Sequence, residues 1–334
     1  MSSITSKGRM LLTVMTVVLV SGAASAQSIL LYDSGGFEFP TFNGGGATLA
    51  GYNAPPGTPG GQGTGSQNGW STSDLNQFIG FPAAGLVQNT IVQSGSQAFH
   101  VIGERLFDDP SLGGGTLYWR YPDTPQFPGN VFNPVASGTP IVVAQTGLYR
   151  NDAVLTTDIP LKGMYFEGLR SGGLQRMITQ VAVDPTGTIQ VTSLNAFPNS
   201  TLSSAPGLVA NQTWVDIRVQ MDFSSQSFRV FLNNTLIGFG PGQALTNVPF
   251  RDSDIANGPF DRLREYGYAA YFNSFAGITT GDVYFDNFSL NAISIPEPAS
   301  LALIGLCITC GGMLYYRRQV SKNKQADLDI EVSR

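Results

Sequence analysis

The sequence predicts an all-β protein, an antiparallel β-sandwich carried between two apolar termini. Its 334 residues include 40 Gly and 20 Pro, with 11% aromatic and only 12% charged residues, a mixture that suits short strands and tight turns and disfavours long amphipathic helices. Many segments alternate apolar and polar residues at the strand period. Clusters of Asn, Asp, Gly and Pro separate them at regular spacing, as turns between sandwich strands would.

Taken in order, residues 96–102 alternate around Phe99 and Val101, and residues 163–169 form a second strand. Residues 177–183 run into Asp184-Pro185-Thr186-Gly187, a turn signal, and residues 188–191 return, which predicts a β-hairpin. Residues 214–221 place Trp214, Asp216, Arg218 and Gln220 on one face and Val215, Ile217, Val219 and Met221 on the other. Residues 227–232 follow, and Asn233-Asn234 turns the chain into 235–237. Residues 266–272 and 282–290 supply two late strands. Residues 43–69, with ten Gly and three Pro, are expected to form a long surface loop within one domain of residues 27–294, because residues 27–42 are too few to fold alone. Residues 108–140 are similarly rich in Pro and Gly, and no strand is assigned there.

The termini read as targeting segments. Residues 1–26 carry Lys7 and Arg9, an apolar run, and Ala24-Ser25-Ala26, the pattern of a secretory signal cleaved between Ala26 and Gln27. At the other end Pro296-Glu297-Pro298 precedes an apolar stretch, residues 299–316, and then Arg317-Arg318. As a helix that stretch would be about 27 Å long, just enough to cross a hydrocarbon core of about 30 Å. The basic pair would leave the polar tail, residues 319–334, in the cytoplasm.

Residues 295–318 resemble the PEP-CTERM protein-sorting domain through Pro296-Glu297-Pro298, the short membrane helix and Arg317-Arg318. The resemblance implies an exosortase partner, a membrane cysteine transpeptidase that cuts near the Pro-Glu-Pro and passes the exported domain to the surface of an exopolysaccharide-making bacterium. The extension from Gln319 to Arg334 departs from the usual arginine end. Residues 214–237 and 283–290, with Gly36-Phe37-Glu38 and Asn68-Gly69-Trp70, resemble concanavalin A-like or laminin-G-like jelly rolls and some carbohydrate-binding-module sandwiches. That second resemblance spans residues 29–290 loosely and implies paired first and last strands, with Phe37-Glu38 near Asp286.

Composition also subtracts chemistry. One histidine excludes a His-rich metal site or a multi-histidine catalytic centre. Both cysteines, Cys307 and Cys310, fall in the apolar tail segment, so the domain contains no thiol. Its glutamates, Glu38, Glu104, Glu167 and Glu265, form no Glu-x-Asp-x-Glu motif. Glu167 is the best single candidate for a glycosidase acid, with an exposed strand partner as the preferred reading. His100 lies on a strand without a Gly-x-Ser-x-Gly elbow, and reads as a strand-surface or core histidine. No catalytic activity is therefore expected.

Glu38 and Asp286, with Asp33 next, are candidate ligands for a structural calcium ion, against the preferred alternative of strand-end polarity and turn formation. Trp70, Tyr118, Trp119 and Tyr121 are candidate glycan contacts, against core packing as the preferred alternative. Residues 27–294 hold 11 basic and 19 acidic residues, a balance of −8 that disfavours nucleic acid and anionic lipid and suits a neutral polysaccharide. The expectation is an exported protein, held in the inner membrane before processing, with a structural or adhesive role in the envelope or exopolysaccharide matrix. A lectin-like module and a glycoside hydrolase are the alternatives.

Overall fold

A computed structural model of the chain describes residues 28–44, 47–48, 67–68, 70–72, 85–101, 115–120, 122, 131–152, 161–170, 175–193, 201–251, 258–271, 281–294 and 315. The chain separates into a unit of residues 1–27 and 294–334 and a unit of residues Ser28–Ile293. The expected signal sequence and sorting segment lie outside the described residues, Tyr315 excepted. Among the described residues no helix is long and apolar enough to cross a membrane.

The larger unit contains strands β1 (Ser28–Asp33), β2 (Ala47–Thr48), β3 (Ser71–Thr72), β4 (Gly85–Gln88), β5 (Ala98–Val101), β6 (Gly115–Arg120), β7 (Ile141–Asp152), β8 (Leu161–Arg170) and β9 (Gln175–Val183). It continues with β10 (Ile189–Thr192), β11 (Thr201–Ser203), β12 (Trp214–Asp222), β13 (Ser227–Leu232), β14 (Thr235–Leu236), β15 (Val248–Pro249), β16 (Phe260–Tyr271) and β17 (Gly281–Ile293). They form two antiparallel sheets. One has ten strands in the order β14-β13-β12-β7-β17-β5-β4-β2, with β1 added to β17 and β15 to β13. The other has seven, in the order β11-β10-β9-β8-β16-β6-β3. The all-β two-sheet sandwich is thus as the alternation and turn spacing predict.

Local chemistry explains the best-predicted elements. Burial along β12 alternates without a break, with Val215, Ile217, Val219 and Met221 inward. At the β9–β10 turn Asp184 Oδ1 accepts from Thr186 N at 2.8 Å and Thr188 N at 3.0 Å, while Gly187 takes a positive φ of 77° that an L side chain would resist. Several elements depart from the expectation. Strand β7 occupies the centre of the larger sheet between β12 and β17, but Ile141-Val142-Val143 and the following Ala, Gln, Thr and Gly obscure its period. Strand β6 lies inside the Pro/Gly-rich residues 108–140, and β2 lies inside the expected 43–69 loop, paired with Leu86 and Val87. Strand β16 begins at Phe260 rather than Tyr266, because register shifts between Phe260 and Arg262 and between Leu263 and Glu265 scramble its alternation.

Inward residues of both sheets meet in one core rich in rings. Trp70, fully buried, lies parallel to Tyr268 at 5.6 Å and donates from Nε1 to Tyr32 Oη at 3.0 Å. Tyr268 packs on Phe285 at 4.0 Å, and its hydroxyl reaches Thr146 Oγ1 at 3.3 Å. Burial pushes the Tyr268 phenol well above its ordinary ionisation range, so it remains a neutral core group. Polar ties join the sheets at their margins. Arg150 Nη1 on β7 donates to Asp184 O at 2.7 Å, and Gln226 Nε2 donates to Phe260 O at 2.9 Å while its Oε1 accepts from Phe260 N at 2.8 Å.

Trp70→Ala should remove ring contacts to both sheets and destabilise the protein by about 3–5 kcal/mol, the range for buried aromatic truncations. Chemical denaturation checks this. A wild-type midpoint in the variant would place the indole outside the core.

Candidate functional site

Strand β17 is used twice along one edge. Its residues Val283, Tyr284 and Phe285 pair with β5, and Ser289 to Ile293 pair with β1. Between them residues 286–288 pair with neither strand; on the opposite edge, against β7, the register shifts at Asp286–Ser289, and Asn287 adopts a positive φ of 51°, a conformation that asparagine tolerates better than most residues. The ladder therefore has a gap on the β1–β5 edge. The one-turn 3-10 helix Gly35–Phe37 and the β4–β5 loop converge on it.

Two carboxylates close the gap. Asp286, fully buried, accepts at Oδ2 from Gln93 N at 3.0 Å and Ser94 N at 3.1 Å, and at Oδ1 from Asn287 N at 2.8 Å. Glu38 Oε1 accepts from Ser96 N at 2.6 Å and Gln97 N at 2.9 Å, and Oε2 accepts from the Ser96 hydroxyl. Asn287 Nδ2 adds a bond to Ser94 Oγ at 2.9 Å, and Gln93 Nε2 reaches Asp216 Oδ1 at 2.9 Å. A Cβ on Gly36 would stand 3.3 Å from Asp286 Oδ1 and 3.6 Å from Glu38 Cγ, so both carboxylates flank this glycine. The pairing of first and last strands, and the approach of Glu38 to Asp286, match the expectation from the jelly-roll resemblance.

The electrostatics of the pair are opposed. Burial raises the Asp286 pKa, helped by the charge of Glu38, and outweighs the bonds from Ser94, Asn287 and Gln93. For Glu38 burial also acts upward, but the bonds from Ser96 and Gln97 outweigh it and hold the carboxyl below its ordinary range. As calcium ligands the two residues fit poorly. The bonded oxygens face N–H and O–H donors that a cation would have to displace, whereas calcium takes about six to eight oxygen ligands. Among the described residues no group of three or more His, Cys, Asp or Glu could hold a metal ion. Asp33 caps the adjacent turn, accepting from Gly35 N at 2.8 Å.

The candidate glycan residues separate. Trp70 offers no face to a ligand because it lies in the core, its preferred alternative. On β6 Tyr118 is in register with Tyr268 of β16 and Trp119 with Gly267, and Tyr121 lies outside the described residues. His100 points away from the core between buried Phe99 and Val101, stacked on Tyr284 at 4.3 Å. Glu167 on β8 stands opposite Glu265 on β16, on the outer face of the seven-stranded sheet, with Arg264 Nε 3.1 Å from Glu265 Oε1. Their separation in sequence hid that pairing. Pro296, Glu297, Pro298, Arg317, Arg318, Ala24, Ala26 and Gln27 all lie outside the described residues.

Asp286→Ala should leave the Gln93, Ser94 and Asn287 amides without their acceptor and cost about 3 kcal/mol. The pH dependence separates the carboxylates. Ionised Glu38 stabilises the fold above its ordinary value of 4.5, and that contribution is lost as the pH falls through its lower folded value. Ionised Asp286 is disfavoured by folding, a cost relieved as the pH falls through its raised folded value. Glu38→Gln should therefore flatten the acid-side loss of stability and Asp286→Asn should steepen it, read from urea midpoints between about pH 3 and 6. Parallel profiles in both variants would contradict the assignment.

No protein-family model matches the chain, and no curated protein matches it. Solved structures resemble it distantly. The conserved carbohydrate esterase vb_24B_21 from Shiga toxin-encoding bacteriophage phi24B is 12% identical, over 74% of this chain and 99% of its own, with a TM-score of 0.44. The carbohydrate recognition domain of Emp47p is 11% identical, over 70% of this chain and 91% of its own, with a TM-score of 0.38. A sialidase is 7% identical over 66% of this chain, with a TM-score of 0.40, and the chain spans only 16% of that sialidase's length. An esterase, a sialidase and a carbohydrate recognition domain stand side by side among these likenesses.

Proposed function

We propose that the chain is an exported, non-catalytic jelly-roll protein with a structural or adhesive role in the envelope or in an extracellular polysaccharide matrix. The observation that carries this reading is the use of the carboxylates at the β17 gap. Glu38 and Asp286 accept backbone N–H bonds from the β4–β5 loop and so hold the fold, rather than presenting an acid or base to a ligand. The sequence of the termini supports export. In this reading residues 1–26 are removed by the secretion machinery, helix 299–316 holds the protein in the inner membrane, and an exosortase cuts near Pro296-Glu297-Pro298. A polysaccharide partner agrees with the −8 balance of residues 27–294, from 11 basic and 19 acidic residues.

One observation favours a second reading, glycoside hydrolysis. Glu167 and Glu265 stand directly opposite on β8 and β16, where Cβ atoms are about 4.5–5.5 Å apart, so their side chains can reach the separation of about 5–5.5 Å that retaining glycosidases use between carboxyl groups. Arg264 Nε lies 3.1 Å from Glu265 Oε1, so the pair has a basic neighbour.

Intact mass and terminal peptides of the protein recovered from the cell surface test the first reading. The expected termini are Gln27 and a residue near Pro296-Glu297-Pro298. An intact tail in the membrane fraction would remove the exosortase step, and recovery from the cytosol would remove the whole reading. Release of reducing ends from a polysaccharide panel, abolished in Glu167→Gln, would establish the hydrolase instead.

A further inference from the structure

Four rings stand in one register row across the outer face of the ten-stranded sheet. His100 on β5 faces Tyr284 on β17, Tyr284 faces Tyr149 on β7, and Tyr149 faces Trp214 on β12. Successive ring centroids are 4.3, 5.7 and 5.4 Å apart. Strand alternation sets their direction: the neighbours Phe99, Phe285, Leu148 and Val215 are buried in the core, so the rings point to the other side. Trp214 ends the row at an open corner, because β13 pairs with β12 only from Ile217 onward, and its side chain is only partly buried.

Polar groups flank the row on both sides. On one side Asp282 stands opposite Asn151, and Gln212 Nε2 donates to Asn151 Oδ1 at 3.1 Å. On the other, Gln93 lies over Gly147 and bonds Asp216 Oδ1 at 2.9 Å.

We propose that this row is a binding strip for a neutral polysaccharide chain, an inference that rests on the adhesive reading and gives it a site and a ligand class. Tyr149 and Trp214, both partly exposed, present ring surface suited to sugar C–H groups, Tyr284 being 6% exposed and stacked on His100, and the flanking amides and carboxylates suit hydroxyls. The carboxylates beside the strip, Asp216 and Asp282, the latter 3.5 Å from His100 Nε2, disfavour a polyanion. Tyr284 remains a hydroxyl donor throughout the neutral range. Burial first, then the charges of Asp282 and Tyr149, push its phenol up to about 12.

Native affinity electrophoresis of the full-length protein, through gels containing a neutral β-glucan, a galactomannan or alginate, tests the strip. Retardation is expected in a neutral gel, weakened at least tenfold by Trp214→Ala and by Tyr149→Ala. A saccharide-induced change in tryptophan fluorescence should disappear in Trp214→Phe, a variant that keeps an aromatic ring at the corner and guards against misfolding. Wild-type retardation in all three variants would move the ligand elsewhere on the protein and overturn the strip while leaving the adhesive reading intact. Retardation by alginate alone, or by none of the three, also overturns it; retention of the protein in the matrix fraction of cells then decides the adhesive reading separately. A dimer in gel filtration that dissociates in Trp214→Ala would assign the face to a second copy of the chain, and would equally overturn it.

Discussion

The fold depends on a break in one hydrogen-bond ladder. The edge of β17 serves β5 at one end and β1 at the other, and residues 286–288 between them pair with neither. A sheet edge interrupted in this way leaves backbone donors of the incoming loop, Gln93 and Gln97 half-buried and Ser94 and Ser96 exposed, without strand acceptors. Carboxylate oxygens supply what the ladder omits. Asp286 takes Gln93 and Ser94, Glu38 takes Ser96 and Gln97, and Ser34 N completes the seam by donating to Phe288 O at 2.8 Å. The first strand, the last strand and the β4–β5 loop are thereby locked together, although they come from distant parts of the chain.

That arrangement explains which features were legible in the sequence. The hairpin at Asp184-Pro185-Thr186-Gly187 and the strands β12 and β13 are visible because turn chemistry and one-sided burial both act locally there. Strand β7 was not legible. It is central, and Gly147 within it is selected by the Gln93 side chain that lies above, a contact no local pattern announces. Strand β6 hides among prolines and glycines for a similar reason, since its partners on β3 and β16 supply the order that its own neighbourhood lacks.

The candidate sites divide along the same line. Glu38 and Asp286 were readable as a pair through the resemblance of the terminal strands, but their role as acceptors of backbone N–H groups depends on a loop far from both. Trp70, a candidate glycan contact for which core packing is the preferred reading, is held inward by Tyr32 and Tyr268. The ring row went unread because its members are one per strand. Trp214 sits among polar residues in its own segment, and only the register of β12, β7, β17 and β5 joins it to Tyr149, Tyr284 and His100.

The break and the ring row are mechanically connected. Gln93 gives its backbone N–H to Asp286 and its side chain to Asp216, so the loop anchored at the gap also builds one border of the row. A recognition surface whose rings rise from paired strands, and whose border is pinned by a buried carboxylate, loses little freedom when a ligand arrives. Loosening the anchor should therefore act at a distance: a Gln93 freed from Asp286 keeps its chemistry but not its position. Glu38 and Asp286 are well suited to that task, because an acceptor already satisfied by backbone donors holds geometry without competing for the ligand.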